Sequence, residues 1–393
     1  MRGHISNFQF SISNWAALIS FFCLTTGAMI AAEDVPTITV SKGDQINLSV
    51  SPLGGAEGAA ATKIVQNDLA LSGYFKFGGA DSSYTVRGTA GSGSLQGQVV
   101  DHSGGTVLSK SYSGSARENA HQFANDIIET LTGHKGLAGS KITFIATRSG
   151  KKEVYVADFD GSNVRQLTHD NTISVHPSLS PDGRRIAYTG YQSGYADVYV
   201  IDLASGSRNR IVNFPGTNSG ATFSPDGDRL ALTISKDGNP ELYTVSASGG
   251  GARRLTRTRG VESGPTWSPD GSEIIYSFDG EGGPQLYRIS SSGGAGQRLS
   301  TGHSYCTEPN WSPDGKKVAF NVRDGGEFQI AILDLGGGGT RTVATGQDPV
   351  WGPDSRHLIF TEGGALYMLD TVSSRKNQIV GGLGKITEPS WSR

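Results

Sequence analysis

The tetrapeptide Ser-Pro-Asp-Gly is written four times, ending at Gly183, Gly227, Gly271 and Gly315, each time behind a short apolar or aromatic run. A fifth copy is blurred to "WGPDS" and a sixth breaks off at "WSR". The first residues of these turns are Ser180, Ser224, Ser268, Ser312, Gly352 and Ser392, a period of 44 three times and of 40 twice. Behind each copy three further apolar runs recur, as in "EIIYSF", "QLYRIS" and "QRLS". Four strands in 40 to 45 residues is the arithmetic of a propeller blade.

Counting the runs predicts how the ring closes. First-strand copies number six, and the last, "EPSWS", has no second, third or fourth strand after it. Those three stand at the other end of the repeat region, as "KITFIA" from Lys141, "EVYVAD" from Glu153 and "RQLT" from Arg165. The spacing therefore predicts an all-β six-bladed propeller over 140–393, its last blade built from both ends of the domain, with Trp391 added to the sheet of Ile142 and Val154. Such a splice removes two open sheet edges. "SPDG" itself fits a type I turn position by position. The residue before it (Leu179, Phe223, Trp267, Trp311, Trp351, Trp391) is expected to fill the wedge between neighbouring blades.

Upstream, 33–139 reads as a small α/β domain. "TITV" is a short alternating strand; "EGAAATKIVQNDLALSG" and "ENAHQFANDIIETLTG" are amphipathic helices closed by glycine; "YTVRGTA", "SLQGQVVD" and "TVLSKSYS" are strands between them. Residues 1–32 have the build of a secretory signal peptide, with Arg2 followed by no charge until Glu33 and an apolar stretch ending in small residues. Trp15 to Ala32 is also just long enough for an uncleaved anchor. Cleavage would leave Cys306 without an intrachain partner, so the exported chain must rely on its own core.

The 56 glycines sit mostly in short polar clusters between apolar runs, where they serve as turns. With 34 Lys and Arg against 36 Asp and Glu, scattered along the chain, no basic tract marks a nucleic-acid binder. Gly-x-Ser-x-Gly and His-Glu-x-x-His are absent. "DFDGSN" at Asp158 opens like a calcium loop, but His169 stands where the closing Glu belongs, so a hairpin turn is expected. No catalytic residue, metal site or cofactor is assigned. The variable positions precede each first strand, around one mouth of the channel, and they point to binding: Thr217, Asn218, Glu262, Ser263, Thr307, Glu308 and Glu388. The competing classes are a hydrolase built on His176, His303 and Glu308, and a propeller binding some other ligand.

"IVQNDLALSGYF", "AHQFANDIIETLTGHKG" followed directly by "KITFIATR", "NFPGTNSGATFSPDG" and "CTEPNWSPDG" together resemble the TolB family of the Tol-Pal envelope system. The resemblance implies a monomeric, non-enzymatic periplasmic adaptor. It implies that the lipoprotein Pal is held at the propeller mouth, which would tether the chain to the outer membrane and support envelope constriction. By position, the family's Pal loops match Thr217 to Ala221, which adds Ser219 and Gly220, and Glu262 to Pro265. The mature N-terminal segment, here Glu33, Asp34, Val35, Ile38 and Val40, is the part that engages TolA in the family.

Overall fold

"SARE" at Ser115 is a capping box, and it starts the longer helix of the first domain: the Ser115 hydroxyl accepts from the Glu118 amide while the Glu118 carboxylate accepts from the Ser115 amide. The computed structural model describes residues 45–79 and 81–392. The leader reading of 1–32 and the "TITV" strand lie outside the described residues. The first domain runs β1 (Ile46–Val50), α1 (Gly58–Leu71), β2 (Phe75–Phe77), β3 (Tyr84–Gly91), β4 (Ser94–Asp101), β5 (Thr106–Ser113) and α2 (Ala116–Thr132). Its sheet order is β2-β1-β3-β4-β5, with β1 parallel to both neighbours. Both helices and the three central strands match their expected spans. β1 and β2 are additions, too short and too weakly alternating to stand out in the sequence. Ala61, Val65 and Leu69 of α1 and Phe123, Ile127 and Leu131 of α2 are buried together. Gly97 lets α2 approach the sheet, since a Cβ there would stand 2.5 Å from the Phe123 ring.

The remaining sheets are six, each of four strands. Blades 1 to 5 begin with the inner strands Ser174–Leu179, Asn218–Phe223, Glu262–Trp267, Cys306–Trp311 and Gln347–Trp351. Blade 6 joins the inner strand Ile386–Trp391 to Lys141–Ala146, Glu153–Asp158 and Arg165–Gln166. Trp391 pairs with Ile142, and Ser392 and Lys141 exchange two 2.9 Å hydrogen bonds. The propeller closes as the repeat count requires.

Every wedge residue packs across a blade boundary. Trp267 of blade 3 lies against Ala231 and Leu242 of blade 2, and Trp311 against Ile275 and Leu286 of blade 3. Trp351 meets Ala319 and Ile330, Trp391 meets Ile359 and Leu366, and Leu179 meets Ile145 and Val154. Each buried side chain contributes about 1.5–3 kcal/mol. Three are also covered by the basic residue that follows the previous blade's turn: Arg185 over Phe223, Arg229 over Trp267 and Lys317 over Trp351, at 5.2, 4.7 and 5.4 Å.

A polar girdle adds direction to this packing. The backbone N–H of Phe223, Trp311, Trp351 and Leu179 donates to Ser178, Thr266, Asn310 and Ser390 on the adjoining inner strands. Thr222 donates instead to the Pro265 carbonyl. Only between blades 5 and 6 is the equivalent residue apolar, Val350.

The repeat's spelling now has a physical reading. In the turn at Ser180, Gly183 N–H donates to the Ser180 carbonyl, the Ser180 hydroxyl donates to Asp182, and glycine takes φ 65°. In the fifth copy, a Cβ on Gly352 would stand 2.8 Å from the Trp391 ring, which excludes serine. Asp354 then pairs with the His357 ring at 2.6 Å in place of the lost hydroxyl. The "DFDGSN" turn is the hairpin between Glu153–Asp158 and Arg165–Gln166, and its acids hold a protein cation: Arg117 of α2 contacts Asp158 and Asp160 at 3.2 and 3.1 Å.

A second tie between the domains is Arg356. Its guanidinium lies 4.0 Å from the Tyr74 ring centroid, bonds Asp370 at 2.8 and 2.6 Å, and donates to the Gly73 carbonyl. Burial pushes the Asp370 carboxyl up, but the bonds from Arg356, Ser373 and the Val372 N–H outweigh it and leave it well below the usual range. Arg356→Ala is expected to cost about 3–5 kcal/mol in urea denaturation, because Asp370 is left buried and unpaired. The depressed carboxyl adds stability that is present above its ordinary value of 3.8 and is lost as pH falls below it, so the variant should also show a flatter acid limb. Gly352→Ser, although it restores the repeat, is expected to cost about 1–3 kcal/mol by overpacking against Trp391; a midpoint equal to the parent's would refute the steric reading.

Candidate partner-binding mouth

Each inner strand carries a bulge in the same place, for example between Ser219 and Thr222 and between Thr307 and Asn310. The residue at the bulge has positive φ: His176 (50°), Gly220 (68°), Gly264 (57°), Glu308 (49°), Asp348 (58°) and Glu388 (54°). In five of the six blades proline follows, tolerated because a bulge releases its residue from the ladder. Four of the six are not glycine, and each such conformation costs on the order of 1 kcal/mol or more. That cost is met where a side chain is needed at the channel wall.

The six bulges line one end of a central channel with a cavity of about 540 Å³. Two are glycines: Gly220, where a Cβ would meet nothing within 4 Å, and Gly264, where it would stand 3.3 Å from the Glu308 carboxylate. The other four form a charged arc through blades 4, 5, 6 and 1. Along it the freed amides reach the neighbouring blade: Asp348 N–H donates to Asn321 Oδ1 at 2.9 Å, Glu388 N–H to Asp348 Oδ2 at 3.1 Å and His176 N–H to Glu388 Oε2 at 2.6 Å. Lys152 lies 3.4 Å from Glu388. Burial pushes the Glu308 carboxyl up to about 7; His176 lowers it, while Asp348 and Glu388 raise it further. Asp348 is raised by burial, partly offset by the Glu388 N–H. Around neutral pH Glu308 is thus only partly ionised, and an approaching hydrogen-bonding surface meets both donors and acceptors along the arc.

Of the residues singled out from the sequence, Thr217, Ser219, Gly220, Ser263, Glu308 and Glu388 are brought together on this channel. All but Thr217 lie within inner strands and not in the loops before them, because the strand begins two residues ahead of each bulge. Asn218 is a correction: it is fully buried, and its amide donates to the Ala196 and Phe214 carbonyls, so it positions the strand. Thr307 does not line the channel. Glu262 borders the channel, but its side chain is fully buried and accepts from Thr258 at 2.7 Å, which removes it as a contact surface. Glu33, Asp34, Val35, Ile38 and Val40 lie outside the described residues.

Asp348 was missed as a site residue. Its blade follows the shorter spacing, and the pre-proline position shared with His176, Glu308 and Glu388 is the signal that finds it. The hydrolase set does not converge. His303 packs edge-on against Phe320 at 6.4 Å and is not on the channel, while His176 and Ser219 stand 3.4 Å apart, long for a nucleophile and its base. Cys306 is buried with a free thiol.

Comparison with known proteins agrees with this architecture. Residues 128–393 match the family model described as the TolB beta propeller domain. The TolB homolog of Chlorobium chlorochromatii is 46% identical over 103 residues, 25% of this chain and 23% of that protein. The Tol-Pal system protein TolB of Geobacter sulfurreducens is 33% identical over 211 residues, 43% and 48% of the two chains. The matched segments thus span between a quarter and a half of these relatives. The crystal structure of TolB from Acinetobacter baumannii superposes with a TM-score of 0.80 at 24% identity, over 89% of this chain and 97% of that one. The family match covers well over half of the chain and includes every blade of the ring, so the chain belongs to the TolB β-propeller family.

Proposed function

We propose that this chain is a non-enzymatic adaptor of the Tol-Pal system, placed in the periplasm by the leader at 1–32, that holds Pal at the channel mouth and supports outer-membrane integrity and constriction during division. The observation that carries the reading is the ring of six bulged residues, five of them before proline, in which four strained side chains and two glycines shape one concave face. Family membership supplies the context, and the printed name of the Geobacter relative places that protein in the Tol-Pal system. A rigid concave face with two neighbouring glycine positions facing a continuous polar arc suits a protruding protein loop. TolA would be engaged by the segment Glu33 to Val40.

Blocking the two glycine positions tests the docking face. Ser219→Arg combined with Ser263→Arg, with the fold checked by circular dichroism, is expected to weaken Pal binding in calorimetry by more than about tenfold, as for a central interface position. Unchanged affinity removes the mouth as the site, and a parent protein that does not bind Pal removes Pal as the partner. Deleting residues 33–40 is expected to abolish TolA binding and leave Pal binding intact; loss of both would tie the two sites together and contradict the assignment.

A further inference from the structure

The segment Arg257–Gly260, which leads into the inner strand of blade 3, is tied down by side chains. Thr258 N–H donates to Glu241 Oε1 at 2.9 Å, and the Thr258 hydroxyl donates to Glu262 Oε1 at 2.7 Å. The Asn239 amide donates to the carbonyls of Thr258 and Gly260, and Gly260 N–H donates to the Thr258 hydroxyl. Thr258 is thus clamped between two carboxyl groups, both fully buried, and the second oxygen of each, Oε2, has no hydrogen-bond partner among the described residues. Arg257 and Arg259 on the same segment are exposed, and the segment runs into Val261 on the channel lining.

The two carboxyls are not equivalent. Glu241 has a cation, Arg254, at 2.6 Å. Glu262 has none. The groups facing it are Glu241 from the third strand of blade 2, Asp279 and Tyr276 from the second strand of its own blade and the turn after it, and Glu308 from blade 4 beyond Gly264. Arg254 is already shared with Glu241 and Asp237, and Asp237 in turn pairs with Lys236 and Tyr243. Burial among acids with no counter-ion favours the neutral acid, and Oε2, which has no donor facing it, is the oxygen left to carry the proton.

We infer that Glu262 is a protonated latch: while it keeps its proton, the Arg257–Gly260 segment is fastened to blade 2, and loss of that proton as pH rises to neutrality unfastens the segment. Ionisation would set two negative charges against Thr258 where one is compensated, and the carboxylate could be hydrated only by lifting the segment that covers it. Burial, with Glu241 and Asp279 adding to it and the Thr258 hydroxyl opposing, pushes Glu262 from its ordinary 4.5 up to about 7. The clamped form binds the extra proton, so its advantage over the open form is full below the ordinary value, falls as pH rises and is spent once pH has passed the raised one. The consequence for partner capture rests on the docking face proposed above; the latch itself does not.

Hydrogen exchange on the full chain tests it, with rates corrected for their intrinsic pH dependence. Between about pH 6 and about pH 8.5 the amides of 257–261 are expected to lose about tenfold more protection than those of Glu273–Phe278, a factor set by the distance of the lower pH from the midpoint, since the loss saturates above it. Glu262→Gln, which imitates the neutral acid, should abolish the excess loss, and Thr258→Val should lower protection at both pH values. Equal loss in both segments, or the same excess in Glu262→Gln, overturns the latch. Should that variant not fold, the carboxyl resonance of Glu262 in the parent decides: a midpoint near 7 is expected, and one near the ordinary 4.5 overturns it. Pal binding bears on the docking face alone.

Discussion

Everything in the propeller depends on one large side chain per blade being wedged against the sheet before it. A twisted four-stranded sheet has two faces to cover, and a ring of such sheets covers them only if the gap between neighbours is filled at every boundary. Trp267, Trp311, Trp351 and Trp391, with Phe223 and Leu179, do this six times. Because the wedge stands immediately before the Ser-Pro-Asp-Gly turn, its depth is tied to the turn, and the turn's basic follower covers the next wedge. The bulges two to three residues upstream are then placed by the same register, which is why residues of such different chemistry as His176 and Glu388 arrive at equivalent points on the channel wall.

Within this frame, stability and recognition draw on different residues of the same strand. The end nearest the turn is apolar and linked to its neighbour through the girdle of Ser178, Thr266, Asn310 and Ser390. The bulged end is strained, polar and varied. Substituting the first changes whether the ring holds; substituting the second alters the proposed docking face. Asn218 and Glu262 sit at the boundary, on the last buried position before the bulge, and so act on the mouth through backbone and loop placement.

Much of this could be read from the sequence because a repeat makes a structural role visible by counting. The six blades, the wedges and the splice at Trp391 all follow from spacing, as do α1 and α2 from their periodicity and caps. What spacing could not reveal was direction. Asn218 and Glu262 look like exposed polar tips in a one-dimensional reading, yet they are fully buried, because strand pairing begins earlier than the apolar run does. Asp348 escaped because its copy of the motif is four residues early. β1 and β2 escaped because strands of five and three residues are too short to display an alternation of their own. The blurred fifth turn was unreadable until Trp391, 39 residues further on, was seen to lie against Gly352.

The splice of blade 6 has a temporal side as well. Lys141 and Ser392 bond across 251 residues, so the first strands of the ring to be synthesised are the last to find their inner partner. Until then Lys141–Ala146 has an open edge, and each later blade lacks a closed circle to lean on. A chain wired this way postpones its closed, cooperative ring until the final strand has been made, and a copy deprived of that strand is left with an open ring whose sixth blade lacks its inner strand.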